Sequence, residues 1–244
     1  MTNLGAPAGA TPSRRIAAID WTAAGDALDA RGHALLPSLL RAGDCAALAR
    51  LFDDDARFRS TVDMARHRFG EGRYRYFAAP LPPLVAELRT ALYACLAPIA
   101  NGWNEALRRP MRFPRTLPAY QRTCAAAGQR RPTPLLLRYE TGGWNALHQD
   151  LYGELVFPLQ VTVMLDRPDV DFTGGDFLLV EQRPRMQSRG HAIALGRGDA
   201  VVFPCRTRAA NGARGAYQVG VRHGVSTVLS GRRTTLGIIF HDAR

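Results

Sequence analysis

His148, Gln149 and Asp150 set an imidazole and a carboxylate two residues apart. On a strand, residues i and i+2 face the same side. This H-x-D triplet then supplies two adjacent corners of a metal site. An imidazole from a distant strand would complete a set of three on one face, and His223 closes the run YQVGVRH. Two imidazoles and one carboxylate that leave the opposite positions open suit non-heme Fe(II). By itself the triplet is weak, since six His and fifteen Asp in 244 residues yield about 0.4 such triplets by chance. The bland alternatives are a turn residue for His148 and a hydrogen-bonded strand-end residue for His223.

The elements that must carry these residues differ between the two halves of the chain. Residues 1–15, rich in Gly, Ala, Pro and Thr, read as a disordered tail. Residues 16–134 read as a helical N-terminal region packed on the core. Leu35, Leu36, Leu39 and Leu40 recur at helical spacing, followed by Ala46, Leu48 and Leu51, and LVAELRTALYACL (84–96) is a second amphipathic stretch. Between them RHRFGEGRYRYF (66–77) interleaves basic and aromatic residues. It reads as an edge hairpin with a solvated face, or as a nucleic-acid surface. A Pro- and Arg-rich connector spans 108–134.

From 135 onward the pattern changes to short apolar runs between Gly and Pro turns. Strands are expected near 135–140, 155–165, 176–181, 191–195, 200–203, 217–222 and 234–240. Strand–helix–strand alternation is missing, which argues against a Rossmann-type fold. The expected class is mainly β with a helical N-terminal half, α+β, around a jelly roll at 135–244, fused into one domain.

Composition excludes more than it assigns. With 46% hydrophobic and 22% charged residues the chain is an ordinary globular one. The formal charge of +11 is carried by Arg alone; there is no Lys, so a Schiff-base lysine is ruled out. Such a charge fits attraction to phosphate, and equally the Arg usage of a GC-rich genome. The cysteines at 45, 95, 124 and 205 form no C-x-x-C pair. No apolar leader or run near 18 residues is present, so a cytoplasmic protein with reduced thiols and no membrane association is expected.

The surrounding text identifies the triplet. LLLRYETGGWNALHQDLYGE, then GGDFLLVE, then G-D-x-x-x-F, then RHGVSTVLSGRRTTLGIIFHDAR resemble the Fe(II)/2-oxoglutarate-dependent oxygenases, and their prolyl hydroxylase-like branch in particular. HQDLYGELVFPLQ, DFTGGDFLLVEQRPRMQSRG and GRRTTLGIIFHDA are similar to a bacterial family of these enzymes proposed to act on damaged DNA. The resemblance covers about 135–244. It implies Fe(II) held by His148, Asp150 and His223, with 2-oxoglutarate and O2 as cosubstrates. It also implies oxidative decarboxylation of 2-oxoglutarate coupled to hydroxylation of a C–H bond, with no further catalytic residue beyond the iron ligands. Arg233, ten residues after His223, has the family's spacing for the residue that binds the distal carboxylate, to which a guanidinium forks bidentately. Arg232 would point to the opposite face of the strand. Thr235 shares the face of Arg233, and Tyr139 holds the Tyr position of Tyr-x-x-Gly-Gly, so both are expected at the same carboxylate.

Substrate contacts are expected from Tyr152, two residues beyond Asp150, and from Arg183 and Arg185 in the loop after GGDFLLVE. His191, His241 and Asp242 read as structural or as a surface pair. Oxidative dealkylation of damaged nucleic acid is the leading function. The alternatives are a prolyl-type protein or small-molecule hydroxylase, and a non-catalytic jelly-roll binding module. Oligomeric state is not legible.

Overall fold

The computed structural model describes residues 11–150, 153–213 and 215–244. The N-terminal region holds α1 (Pro12–Ala17), α2 (Trp21–Arg31), β1 (Ala34–Leu36), α3 (Ala42–Arg50), β2 (Phe58–Asp63), β3 (Gly70–Glu71) and β4 (Arg73–Phe77). Then come α4 (Pro83–Ala106) and α5 (Leu117–Ala126). The second half holds β5 (Leu135–Glu140), β6 (Trp144–His148), β7 (Leu159–Met164), β8 (Phe172–Gly174), β9 (Phe177–Gln182) and β10 (Arg189–Ile193). It ends with β11 (Ala200–Pro204), β12 (Thr207–Gly212), β13 (Gly215–Val225) and β14 (Val228–Ile239). The larger antiparallel sheet has the order β1-β11-β7-β14-β5-β4-β2, with β8 on β14; the smaller has the order β10-β9-β13-β6-β3, with β12 on β13. The result is the expected jelly roll: two sheets face each other across an inner core of Tyr139, Phe172, Phe177, Leu179, Val201 and Phe203.

The helices cover the outer face of the larger sheet. Leu88, Leu92 and Leu96 of α4 are wholly buried, in one cluster with Leu136, Val161, Val163, Leu236 and Ile238. Each such leucine contributes about 1.5–3 kcal/mol by burial. By length and apolar composition α4 would also cross a membrane, but its buried stripe makes it the core helix of this layer. Phe157 joins the halves, with ring centroids 5.1 Å from Tyr93, 4.8 Å from Phe113 and 5.2 Å from Phe240.

The N-terminal half is less helical than its spacing suggests. Leu35 and Leu36 lie in β1, which pairs with β11. Pro37 explains this: it pushes the preceding residue away from the helical region. The segment 66–77 is not an edge hairpin. β3 joins the smaller sheet and β4 the larger, where β2 and β5 flank it. The chain crosses between the sheets at Gly72, whose φ is +151° and where a Cβ would lie 2.7 Å from the Tyr139 ring. The connector contains α5. Of the expected tail, residues 1–10 lie outside the described residues, and Pro12 already begins α1, capped by the Thr11 side chain. The four cysteines are free thiols.

Candidate metal centre

β6 and β13 are antiparallel neighbours, and their register sets His148 directly opposite His223. The two rings face inward with centroids 4.2 Å apart. Asp150 closes the triangle: its Oδ1 is 3.5 Å from His148 Nε2 and its Oδ2 is 3.1 Å from His223 Nε2. One ligand atom from each residue lies within 4.8 Å of the others, close enough to share a single ion. Among the described residues this is the one such His/Cys/Asp/Glu group.

Asp150 is not on the strand, because β6 ends at His148. Beyond that point β12 occupies the same side of β13, starting from Thr207 opposite Gly220. The Gln149 side chain fills the junction, donating to the carbonyls of Val221 (2.9 Å) and Arg206 (3.0 Å). The Asp150 amide donates to the Cys205 carbonyl at 3.2 Å.

Protonation suits a cation. His148 Nδ1 lies 2.7 Å from the Ala146 carbonyl, which can only accept, so Nδ1 carries a proton and Nε2 is the nitrogen that a cation would take. Burial lowers the His148 pKa, but the Asp150 carboxylate beside Nε2 outweighs it and raises the pKa. Burial alone would raise the pKa of Asp150, but the neighbouring imidazoles hold it well below the usual carboxylate range. Burial lowers the pKa of His223 against the pull of Asp150, which favours the neutral imidazole that ligates metals. The donor set therefore fits Fe(II) with open positions.

The three ligand side chains line one cavity of about 290 Å³. Its far wall is the inner face of the larger sheet. Arg233 stands opposite Tyr139 on the β14–β5 ladder, 1% exposed, with its guanidinium carbon 5.6 Å from the Tyr139 ring centroid. Its Nε and Nη2 have no hydrogen-bond partner. A buried guanidinium without an acceptor costs several kcal/mol, so this one is set up for an anionic ligand. Gly175 makes room for it: a Cβ there would lie 2.8 Å from Arg233 Cδ. Thr235 is buried in the same wall. Tyr139 accepts from Asn145 Nδ2 at 3.2 Å, and burial pushes its pKa up to about 12, so it stays a neutral hydroxyl. Arg232 is exposed on the other face.

Other expectations fare differently. Tyr152 lies outside the described residues. Arg183 and Arg185 do not line the cavity; Arg183 donates to the Tyr217 hydroxyl at 3.3 Å. His191 packs edge-on against His33, with centroids 5.1 Å apart. His241 and Asp242 are not a surface pair: both are buried, His241 accepts from the Phe157 amide, and Asp242 binds Arg89 at 2.7 Å. Residue spacing did not single out Asn145, Tyr74, Tyr76, Gln160 and Thr162, which all line the cavity. For all but Asn145 the signal was the period-2 alternation of RYRYF and LQVTV. In β4 it turns Tyr74 and Tyr76 inward and Arg75 outward, where Arg75 lies 4.4 Å from the Phe58 ring centroid.

A jelly roll with two histidines on one sheet, an aspartate just beyond the strand end and a buried arginine on the other sheet is the architecture of a 2-oxoglutarate-dependent Fe(II) dioxygenase. Residues 72–243 match the family described as an oxygenase "catalysing oxidative methylation of damaged DNA", and the chain belongs to that family. It is an oxidoreductase that uses Fe(II), 2-oxoglutarate and O2. Two uncharacterized proteins of Mycobacterium tuberculosis are each 53% identical over 167 residues, 68% of this chain and 72% of theirs. Among solved structures, a Pseudomonas putida prolyl-4-hydroxylase superposes with a TM-score of 0.53 at 16% identity, over 92% of this chain and 99% of that one. A Burkholderia pseudomallei oxidoreductase of the 2-oxoglutarate-Fe(II) oxygenase family gives 0.52 at 19% identity, over 92% of each chain. At these identities the two structures speak for the fold alone.

Proposed function

We propose that this dioxygenase hydroxylates an alkyl carbon on a damaged DNA base, in a cytoplasmic setting to which four unpaired thiols are suited. His148, Asp150 and His223 would hold Fe(II). Arg233 would take the distal carboxylate of 2-oxoglutarate, with hydroxyls from Thr235 and Tyr139 beside it. The observation that carries this reading is the unpartnered Arg233 guanidinium in the same cavity as the three ligands. When bound, the iron and its cosubstrates supply oxidative decarboxylation to succinate and CO2, with one oxygen atom delivered to a C–H bond. The chain's part is to orient and to exclude water. The buried arginine fixes the oxo acid, and Phe177 and Phe203 pack around His223, at 6.1 and 4.7 Å between centroids.

The substrate class rests on the family's description and on the cavity lining. Phe69, Tyr74 and Tyr76 all line the cavity, and aromatic rings suit a planar heterocycle. The chemistry balances as removal of a methyl group. Hydroxylation of an N-methyl carbon gives a carbinolamine, which releases formaldehyde and leaves the amine. Because the target base must leave its stack, single-stranded DNA should serve better than duplex.

The test is succinate and formaldehyde release with methylated single-stranded DNA, unmethylated DNA and proline-rich peptides, each at two salt concentrations. Formaldehyde with methylated DNA alone, reduced by salt, is the expected result. Turnover with peptides alone would overturn the nucleic-acid reading.

A further inference from the structure

The exposed segment Arg66–Phe69 has no role in the iron or 2-oxoglutarate site, yet it borders the cavity. The Phe69 carbonyl accepts from the Ala146 amide at 2.8 Å, two residues before His148. The Phe69 side chain lines the mouth while remaining 48% exposed. It stacks on His67 with centroids 5.4 Å apart and ring planes 22° from parallel, giving a flat aromatic platform. On the adjoining β6, Asn145, Ala146 and His148 continue the same lining.

Charge surrounds the platform. Arg66 is 82% exposed at its side chain, and its acidic neighbour Asp63 is a loose 3.9 Å away. Arg68 is exposed and, at φ +59°, ends the short turn at Ala65–His67 in the left-handed conformation. Across the ligand-bearing segment, Arg206 accepts at its carbonyl from the cavity-lining Gln149 while its side chain is exposed. Exposed arginines therefore adjoin Phe69 on one segment and include the hydrogen-bond partner of Gln149 on another, and both Phe69 and Gln149 line the cavity. A strand with regularly spaced phosphates and splayed bases matches that pattern, since stacking works with any base and arginine follows the backbone.

We propose that a single nucleic-acid strand lies across this mouth, one base stacked on the Phe69–His67 platform and phosphates against Arg66, Arg68 and Arg206. This rests on the nucleic-acid reading above and deepens it by naming the surface. Phe69 would be a binding and positioning residue, presenting the neighbouring nucleotide to the iron.

The test is fluorescence anisotropy of a labelled deoxythymidine decamer on the full chain, loaded with Fe(II) and 2-oxoglutarate without O2. Phe69→Ala should weaken binding roughly 5- to 100-fold. Phe69→Leu should weaken it similarly, and Phe69→Trp should retain it, a ranking that mere packing would not produce. Arg66→Gln with Arg68→Gln should lower the slope of log affinity against log salt by about 0.7 for each phosphate left unneutralised. Arg122→Gln with Arg130→Gln, exposed at and just beyond α5, should leave both quantities nearly unchanged. Equal strand affinity in wild type and all Phe69 and Arg66/Arg68 variants would overturn this surface while the nucleic-acid reading stood. Absence of strand binding by wild type, together with absence of DNA turnover, would remove both. A proline-rich peptide bound in a Phe69-dependent way, with no strand bound, would overturn the nucleic-acid occupant.

Discussion

Arg89 on α4 and Arg233 on β14 are each 1% exposed, and the protein treats them in opposite ways. Arg89 is surrounded by acceptors: the carbonyls of Ile239 (2.9 Å) and Phe240 (3.0 Å), and the Asp242 carboxylate (2.7 Å). Arg233 has Nε and Nη2 unmet. Arg89 is a clamp that fastens the helical layer to the end of the segment on which Arg233 sits. A charge buried for structure brings its counter-charge from the same chain, whereas a charge buried for a ligand takes its counter-charge from that ligand.

The largest expected effects break one side of this comparison each. Arg233→Gln should weaken 2-oxoglutarate binding by about 3–5 kcal/mol, because the ligand's carboxylate would enter a buried site without its charge partner. A calorimetric titration within threefold of wild type would remove the cavity from the comparison. Arg89→Ala should destabilise folding by a similar figure of about 3–5 kcal/mol, since it strands the Asp242 carboxylate, 10% exposed at its side chain. Urea denaturation measures this, and a loss under about 1 kcal/mol would show that the clamp is not structural.

The clamp should also give stability a pH dependence. Burial lowers the pKa of His241 from the ordinary 6.5 to about 4, and the neighbouring Arg89 charge adds to that. The native state thus binds fewer protons than the unfolded chain between those values. Stability from this group is complete above pH 6.5 and is lost as pH falls toward 4, a change on the order of 3 kcal/mol. Denaturation at about pH 7.5 and about pH 5, on either side of the unfolded pKa, should show the decline, and His241→Gln should flatten it.

Metal at about 100 times its dissociation constant should stabilise the wild type by about 2.7 kcal/mol. Mn(II), a redox-quiet probe, should raise the melting temperature, and neither His148→Ala nor Asp150→Ala should respond. The smallest effect is expected from Arg232→Gln, within about 0.5 kcal/mol in stability. The same variant should leave 2-oxoglutarate affinity nearly untouched; a strong loss there would exchange the roles of the two adjacent arginines.

Much of this site was legible because it depends on residue type and on parity. The run LLLRYE became β5 at the expected limits, Leu135–Glu140. A two-residue side-chain period sends Arg232 outward and Arg233 inward once β14 has a buried face, which requires no knowledge of its neighbours. The H-x-D spacing correctly brought His148 and Asp150 together, although by a different backbone path from the extended strand assumed for it.

What required tertiary structure was pairing. Residue spacing alone does not say that β12 takes the place beside β13 where β6 would have continued, which bends the chain after His148 and turns Asp150 back toward His223. It does not reveal that β4 is inserted between β2 and β5, which makes RYRYF a cavity wall instead of a solvated edge. Nor does composition distinguish the satisfied Arg89 from the unsatisfied Arg233. Side-chain chemistry and strand parity are local properties of the chain. The partner of a strand, and the acceptor that meets or fails to meet a buried charge, are set by residues as far apart as the 150 positions between Arg89 and Ile239, and only the packed fold brings those together.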